Sequence, residues 1–492
     1  MLDVGSRLRG PAAPAAPAGR DRAVDALRAF AILGVVLGHW LVTAFVATGD
    51  GDGLRVTSPL AAMPALAPLT WVLQTLAVFF LVGGYAAGKG LRPDEPWGAR
   101  LRRRLARLAR PLPVLLAAWV PAAAGLWWAG FPGDSVYTLV KLVLSPLWFL
   151  CVYVVLTAFT PAIAAVWKRL GIWGAVLLVG ATAAIDTGRF ALGAPGWTGW
   201  ITVLTGWLVP FYLGIAWADG ALRSRRAGLV LLAGGAAATA LLILYAGYPA
   251  SMVGVPGAAT SNLSPPTLAA VAFGLAQTGL ALLLHGPLTR WTRRARAWPV
   301  IAAANRSALT IFLWHQTALM AVTVGAFLAA DGLPGLLTPP DRPGWVAARL
   351  AWLPVFALAL AGIGALAHRF GRSRRPGAAA DPNLRHRPDI SRRTPRFWRP
   401  PENRRTISDG RKADDAATQD DLAARPTAPT GPRLRRDHLR DHADDRRDGA
   451  RGPVCGTRPG PVHGALDAGR PVRGRARGDR AGAQDGAAGR RP

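Results

Sequence analysis

Between Ala23 and Phe370 apolar residues come in long blocks, many near the ~20 residues that an α-helix needs to cross a ~30 Å hydrocarbon core, with polar residues gathered in the intervals. The blocks predict ten spanning helices, over 23–47, 67–88, 111–129, 137–160, 171–187, 198–217, 227–247, 266–286, 299–327 and 346–368. The fifth is the shortest, and the ninth is long enough to tilt or break. A lead over 1–22 precedes them, with Pro11, Pro14 and Pro17 among alanines. It lacks the apolar core of a cleavable signal, so the first span reads as an uncleaved anchor. Beyond residue 370 neither a helical nor a strand period persists. The expected fold is an all-α membrane protein: a flexible lead 1–22, a multi-pass domain 23–370 and a disordered basic tail 371–492.

Charge placement supports the alternation. Arginines at 100–110 follow the second span, Lys168 and Arg169 the fourth, Arg223, Arg225 and Arg226 the sixth, and Arg290, Arg293, Arg294 and Arg296 the eighth. Arg369, Arg372, Arg374 and Arg375 follow the tenth. The odd-numbered exits carry little beyond Arg55, Arg189 and Arg342. Basic loops stay on the cytoplasmic side, which puts both termini inside. Trp71, Trp97, Trp119, Trp197, Trp217, Trp298 and Trp345 sit near span ends, where indoles anchor at the interface.

Composition then narrows the class. Of 492 residues 51% are hydrophobic, yet the net charge is +30. A soluble globular protein rarely combines the two. Two cysteines, Cys151 and Cys455, make no disulfide scaffold. The tail holds 29 basic and 16 acidic residues with Lys412 as its single lysine. Disorder accounts for it, and so does a GC-rich gene read out of frame. Interspersed aspartates and scarce aromatics argue against a nucleic-acid arm, so no nucleic-acid partner is expected.

Ionisable groups inside a span are costly and each raises a functional question. The first span holds Asp25, Arg28 and His39. Asp25 and Arg28 are three apart and can pair. Arg28 and His39 are eleven apart, almost three turns, so they share a face about 16 Å apart along the axis. One helix thus offers a cation at the inner interface and an imidazole beyond the middle, suited to an anionic ligand and to proton chemistry. The plainer readings are a positive-inside anchor for Arg28 and an interhelical hydrogen bond for His39. In the ninth span Asn305, Trp314, His315 and Gln316 suggest a polar cavity wall, or interhelical hydrogen bonding. His285 and His368 read as interfacial. Asp186 and Arg189 form a structural pair. The Pro/Gly-rich stretch 247–267 is an outer mouth or merely a turn. Arg100, Arg103, Arg104, Arg107 and Arg110 serve topology and anionic lipid, or form a phosphate site. There is no Walker A loop, HExxH, GxSxG or CxxC.

Five segments in order carry a resemblance. Arg22 to His39 resembles the opening helix of the acyltransferase-3 family of integral membrane acyltransferases, with its Arg and His separated by ten residues. Phe79-Phe80-Leu-Val-Gly83-Gly84-Tyr85 is similar to its second-helix motif, with Gly83 where the family often has Ser. The arginines at 100–110 resemble its basic segment, and Leu147-Trp148-Phe149-Leu150-Cys151-Val152-Tyr153 its Leu-Trp-Phe-Leu-x-x-Tyr segment. Leu313-Trp314-His315 resembles its late Tyr-Leu-Trp-His, with Phe312 for Tyr. The resemblance implies transfer of an acyl group, often acetyl, from cytoplasmic acyl-CoA to a hydroxyl of a carbohydrate, glycolipid or related acceptor. It implies His39 as the leading catalytic residue and Arg28 as essential nearby. With Asp25 orienting Arg28, the inner arginines would take the acyl-CoA phosphates. Trp148, Tyr153, Asn305, Trp314 and His315 would line the acceptor or thioester pocket. His39 would act as general base or form an acyl-histidine. No metal is expected, and the plasma membrane is the expected location. The competing reading is a multi-pass transporter or flippase for a polar or anionic solute.

Overall fold

The computed structural model describes residues 20–48, 53–92, 95–329 and 332–373. Expectations for the lead before Arg20, for the tail beyond Ser373 and for Cys455 lie outside the described residues.

Helix α1 (Arg22–Val42) starts where the Asp21 carboxylate accepts from the Ala23 and Val24 amides, at 3.0 and 3.2 Å. This satisfies two of the donors that a helix start leaves free. The apolar run expected to continue the helix to residue 47 instead turns at Thr43. It forms strand β1 (Ala44–Ala47), antiparallel to β2 (Leu54–Thr57), with Phe45 opposite Val56. The all-α expectation therefore gains a hairpin: hydropathy marks 43–47 as apolar, but β-branched Thr43 and Val46 suit extended backbone. Ser135 pins the hairpin by accepting from the Leu54 amide at 2.9 Å.

The rest is helical: α2 (Pro59–Ala62), a 3₁₀ turn at Pro64–Leu69, α3 (Thr70–Leu73) and α4 (Leu76–Lys89). Then come α5 (Trp97–Ala109), α6 (Leu112–Trp128), α7 (Gly133–Leu144), α8 (Leu147–Ala158), α9 (Thr160–Leu170) and α10 (Ile172–Phe190). After a 3₁₀ turn at Gly196–Trp200 follow α11 (Ile201–Asp219), α12 (Arg225–Tyr245), α13 (Leu268–Trp291), α14 (Ala297–Ala329) and α15 (Pro343–Ser373).

Among the described residues eight segments are long and apolar enough to cross a membrane, against the ten expected. The third expected span is α6, whose 17 residues reach only about 25 Å. The fifth is α10, bent by 108° against α9, and this pair makes a ninth crossing if counted as one. The second and fourth expected spans each join two helices across a break, at Gln74–Thr75 and at Ser145–Pro146.

Close packing relies on absent side chains. A Cβ on Gly84 would lie 2.0 Å from the Phe211 carbonyl oxygen, and one on Gly214 2.1 Å from that of Leu81, so α4 and α11 touch backbone to backbone. Small residues allow this approach in a bilayer. Gly83 has its own reason to lack the family's Ser: a Cβ there would stand 2.6 Å from the Tyr153 ring.

The two ends of the bundle differ. At one end Asp21 meets His285 at 2.8 Å and the Tyr85 hydroxyl at 3.2 Å. Arg22 reaches the Thr292 carbonyl there, and Trp97 of α5 donates to the Ala158 carbonyl at 2.9 Å. This end gathers the basic segments that follow the second, sixth and eighth expected spans. At the other end lie the hairpin and the 246–267 loop, tied by Trp71 to the Ala250 carbonyl and by the Met252 amide to Thr70. Arg349 of α15, fully buried, closes α1 here. Its guanidinium donates to the carbonyls of Trp40 (2.7 Å), Thr43 (2.5 Å) and Gly335 (2.9 Å), and it lies over the Trp345 and Phe356 rings.

Candidate functional site

His39 lines a cavity of about 260 Å³ walled by Gln74, Thr75, Trp148, Phe149 and Phe312. Val253, Gly254, Pro256 and Leu263 also line it, so the 247–267 loop forms part of a cavity wall. Behind the imidazole stands α14. Gln316 places Nε2 3.1 Å from His39 Nδ1, and the His315 ring centroid is 5.1 Å from that of His39. His315 is wholly buried and donates Nδ1–H to the Phe312 carbonyl at 2.6 Å. Its Nε2 and the Gln316 amide oxygen have no hydrogen-bond partner. Trp40 fastens this contact by donating to the His315 carbonyl at 2.9 Å.

A second cavity, of about 660 Å³, opens toward the basic end. Arg20, Arg28, Arg104 and Arg306 line it, together with Tyr153 and Asn305. Phe149 and Phe312 line both cavities, and their ring centroids are 5.4 Å apart. These two rings are the wall between the His39 chamber and the basic chamber. Phe149 is held in an aromatic cluster, 4.9 Å from both the Phe79 and Phe80 rings.

The expected site residues fall into several places. Arg28 and His39 share the face of α1 that meets this wall, one in each chamber. Asp25 is buried behind Arg28, 3.4 Å from it, and also holds Arg20; its own carbonyl accepts from Asn305 at 2.8 Å. Trp148 lines the His39 chamber, while Tyr153 and Asn305 line the basic one. Trp314 looks elsewhere, into a separate cleft with Val114, Ile363 and Leu366. Neighbours on a helix project about 100° apart, so Trp314 and His315 serve different spaces. Of the expected arginines, Arg104 lines the basic chamber. Arg100 and Arg103 are engaged by Glu95, at 3.3 and 2.5 Å, and do not line it. Arg110, just past the end of α5, is exposed outside the lining, and Arg107 lies within α5. Sequence reasoning passed over Arg20, Arg306 and Arg349. Arg306 was legible as a cation next to Asn305 at the start of an apolar run.

Outside the spans, the Glu95 carboxyl is held below its usual range, chiefly by the Arg103 hydrogen bond. Asp21 is held low as well. Burial opposes its ionisation, but the His285 hydrogen bond and charge, with the Val24 and Ala23 amides, outweigh it. Among the described residues no three His, Cys, Asp or Glu side chains cluster to hold a metal.

A family model described as an acyltransferase domain matches residues 21–368, well over half the chain. No curated protein and no solved structure matches it.

Proposed function

The chain belongs to the acyltransferase-3 family of multi-pass membrane acyltransferases, and from that premise we propose that it moves an acyl group, acetyl first among candidates, from cytoplasmic acyl-CoA to an acceptor hydroxyl. The acceptor is a carbohydrate, a glycolipid or a related envelope molecule, and the location is the plasma membrane. One observation carries the reading: two chambers meet back to back at Phe149 and Phe312, one basic and one holding His39. The basic end faces the cytoplasm by the alternation of arginine-rich segments. Arg20, Arg28, Arg104 and Arg306 take the phosphates of acyl-CoA, which arginine binds in bidentate fashion. The acyl end passes the two rings and meets the acceptor in the His39 chamber.

His39 acts as general base. Its Nε2 must present a lone pair, so Nδ1 must carry the proton and donate it. Gln316 supplies the acceptor when its amide is turned so that Oε1 faces Nδ1, which also gives that oxygen the partner it otherwise lacks. The acceptor oxygen attacks the thioester carbonyl while His39 takes its proton. The tetrahedral intermediate collapses, the C–S bond breaks, and the proton passes to sulfur, releasing CoA as a thiol and the acceptor as an ester.

The test is transfer of radiolabel from acetyl-CoA into membrane products by the full chain and by His39→Ala at equal expression. General-base catalysis contributes about 10²–10⁴-fold, and a loss of that size is expected. Undiminished transfer by His39→Ala overturns the assignment, and label retained on the protein at His39 replaces the general base with an acyl-histidine.

A further inference from the structure

Another cavity, of about 430 Å³, lies on the other side of α1, bounded by α1, α3, α4, α12 and α13. No charged residue lines it. Its wall on α13 runs from Phe273 to Leu288, fifteen residues or about 22 Å, much of the ~30 Å depth of the hydrocarbon core. Phe30, Val72 and Leu280 on its rim are exposed, so it opens sideways, toward lipid.

This cleft abuts the His39 chamber. Thr75 lines both. Gln74 lines the chamber and Gln277 the cleft, and Gln277 Nε2 donates to the Gln74 carbonyl between them. The seam is the point where α3 and α4 part. Non-helical backbone at membrane depth is tolerated where it lines a cavity. Both glutamines are more than nine-tenths buried, and both of their amide oxygens lack a partner. A long apolar trough thus reaches two acceptors in want of donors, one of them, Gln74, in the lining of the chamber that holds the imidazole.

Building on the acyltransferase reading, we propose that the acceptor is a membrane lipid whose hydrocarbon tail lies in this cleft. Its hydroxyl-bearing head crosses the Gln74–Thr75 break, donates to the two amide oxygens, and brings one hydroxyl to His39. That oxygen forms the ester, the thioester C–S bond breaks, and the hydroxyl proton ends on the CoA sulfur. The lipid reaches the site from the side, without leaving the bilayer.

Ala236 lines the cleft from α12 at an exposed position, so Ala236→Trp fills the trough with little risk to folding; Val230→Trp, on the same helix and outside the lining, is the control. Membranes carrying the full chain receive radiolabelled acetyl-CoA, and label is counted in lipid-extractable and water-soluble products. The expected result is label in lipid, lowered about tenfold by Ala236→Trp and unchanged by Val230→Trp. Label confined to water-soluble products, or indifference to Ala236→Trp, overturns the proposal. A second measurement does not depend on acyl transfer. A diazirine-bearing hexadecanol is photo-crosslinked in the same membranes and the adducts are mapped. Adducts concentrated on Phe30, Phe273 and Leu280 and lost in Ala236→Trp support the cleft. Adducts spread evenly over all lipid-facing helices overturn it. If wild type transfers no label while the crosslinks concentrate as expected, the acyltransferase reading fails and the lipid site stands.

Discussion

Arg349 is the largest fully buried side chain among the described residues, and it sits at the last turn of α1, where it reaches the carbonyl of Trp40, the residue after His39. Replacing it with Met keeps an unbranched apolar stem and removes the charge and all of its donors. Three carbonyls, of Trp40, Thr43 and Gly335, then lose their donors. A hydrogen bond from a charged donor contributes about 1.5–3 kcal/mol, so the gross loss is roughly 5–9 kcal/mol. The guanidinium's own burial costs several kcal/mol, and that cost disappears with it. The expected net destabilisation is about 3–5 kcal/mol. Large domains lose about 2–4 °C in Tm per kcal/mol, so thermal unfolding of the detergent-purified protein should fall by about 10 °C. Arg349→Lys should lie between, because one ammonium cannot fork to three carbonyls as a guanidinium does. The assay is a tryptophan-fluorescence melt of wild type and both variants. If Arg349→Met melts with wild type, the carbonyls of α1 do not need this donor and the reasoning is refuted.

Three further outcomes follow from the site. Arg306→Ala should raise the KM for acetyl-CoA about tenfold with little change in kcat; an unchanged KM removes Arg306 from the phosphate cradle. Gln316→Leu should cost about 10–100-fold in kcat and leave that KM alone, since it disturbs only the imidazole's orientation; equal activity would show that His39 needs no such partner. Asp21 has a folded pKa below its unfolded value of about 3.9. Its contribution is therefore fully present above that pH and is lost as pH falls through the folded pKa. Melts of wild type should weaken below about pH 4, and Asp21→Asn should flatten that fall; parallel curves would refute the linkage.

The apolar blocks carried the bundle because burial in lipid is a property of composition summed over some twenty residues. What they hid are events one or two residues long. The break at Gln74–Thr75 and the strand at 44–47 have no charge or proline to mark them; the Thr75 hydroxyl bonds the Ala31 carbonyl, and the strand pairs with 54–57. The Arg28–His39 spacing was legible because a helix fixes relative azimuth, and both residues meet the same aromatic wall. The arginines at 100–110 were legible as a charge cluster, yet Glu95, just ahead of α5, diverts two of them. Arg349 read as part of an apolar span because the carbonyls it serves, at the end of α1 and at Gly335, are brought to it only by the fold.

The wall of Phe149 and Phe312 also has an electrical consequence. If both chambers fill with water from opposite ends of the bundle, these two rings are the thinnest part of the insulating layer between them. Much of the transmembrane voltage would then drop across that pair, where a unit charge gains or loses about 2.3 kcal/mol per 100 mV. In the proposed reaction the rings that a neutral acyl group passes would therefore also be the seal that keeps protons from following it. Reducing either ring to a methyl group would turn a barrier against ions into a leak, and the cell would register the change as a loss of membrane potential.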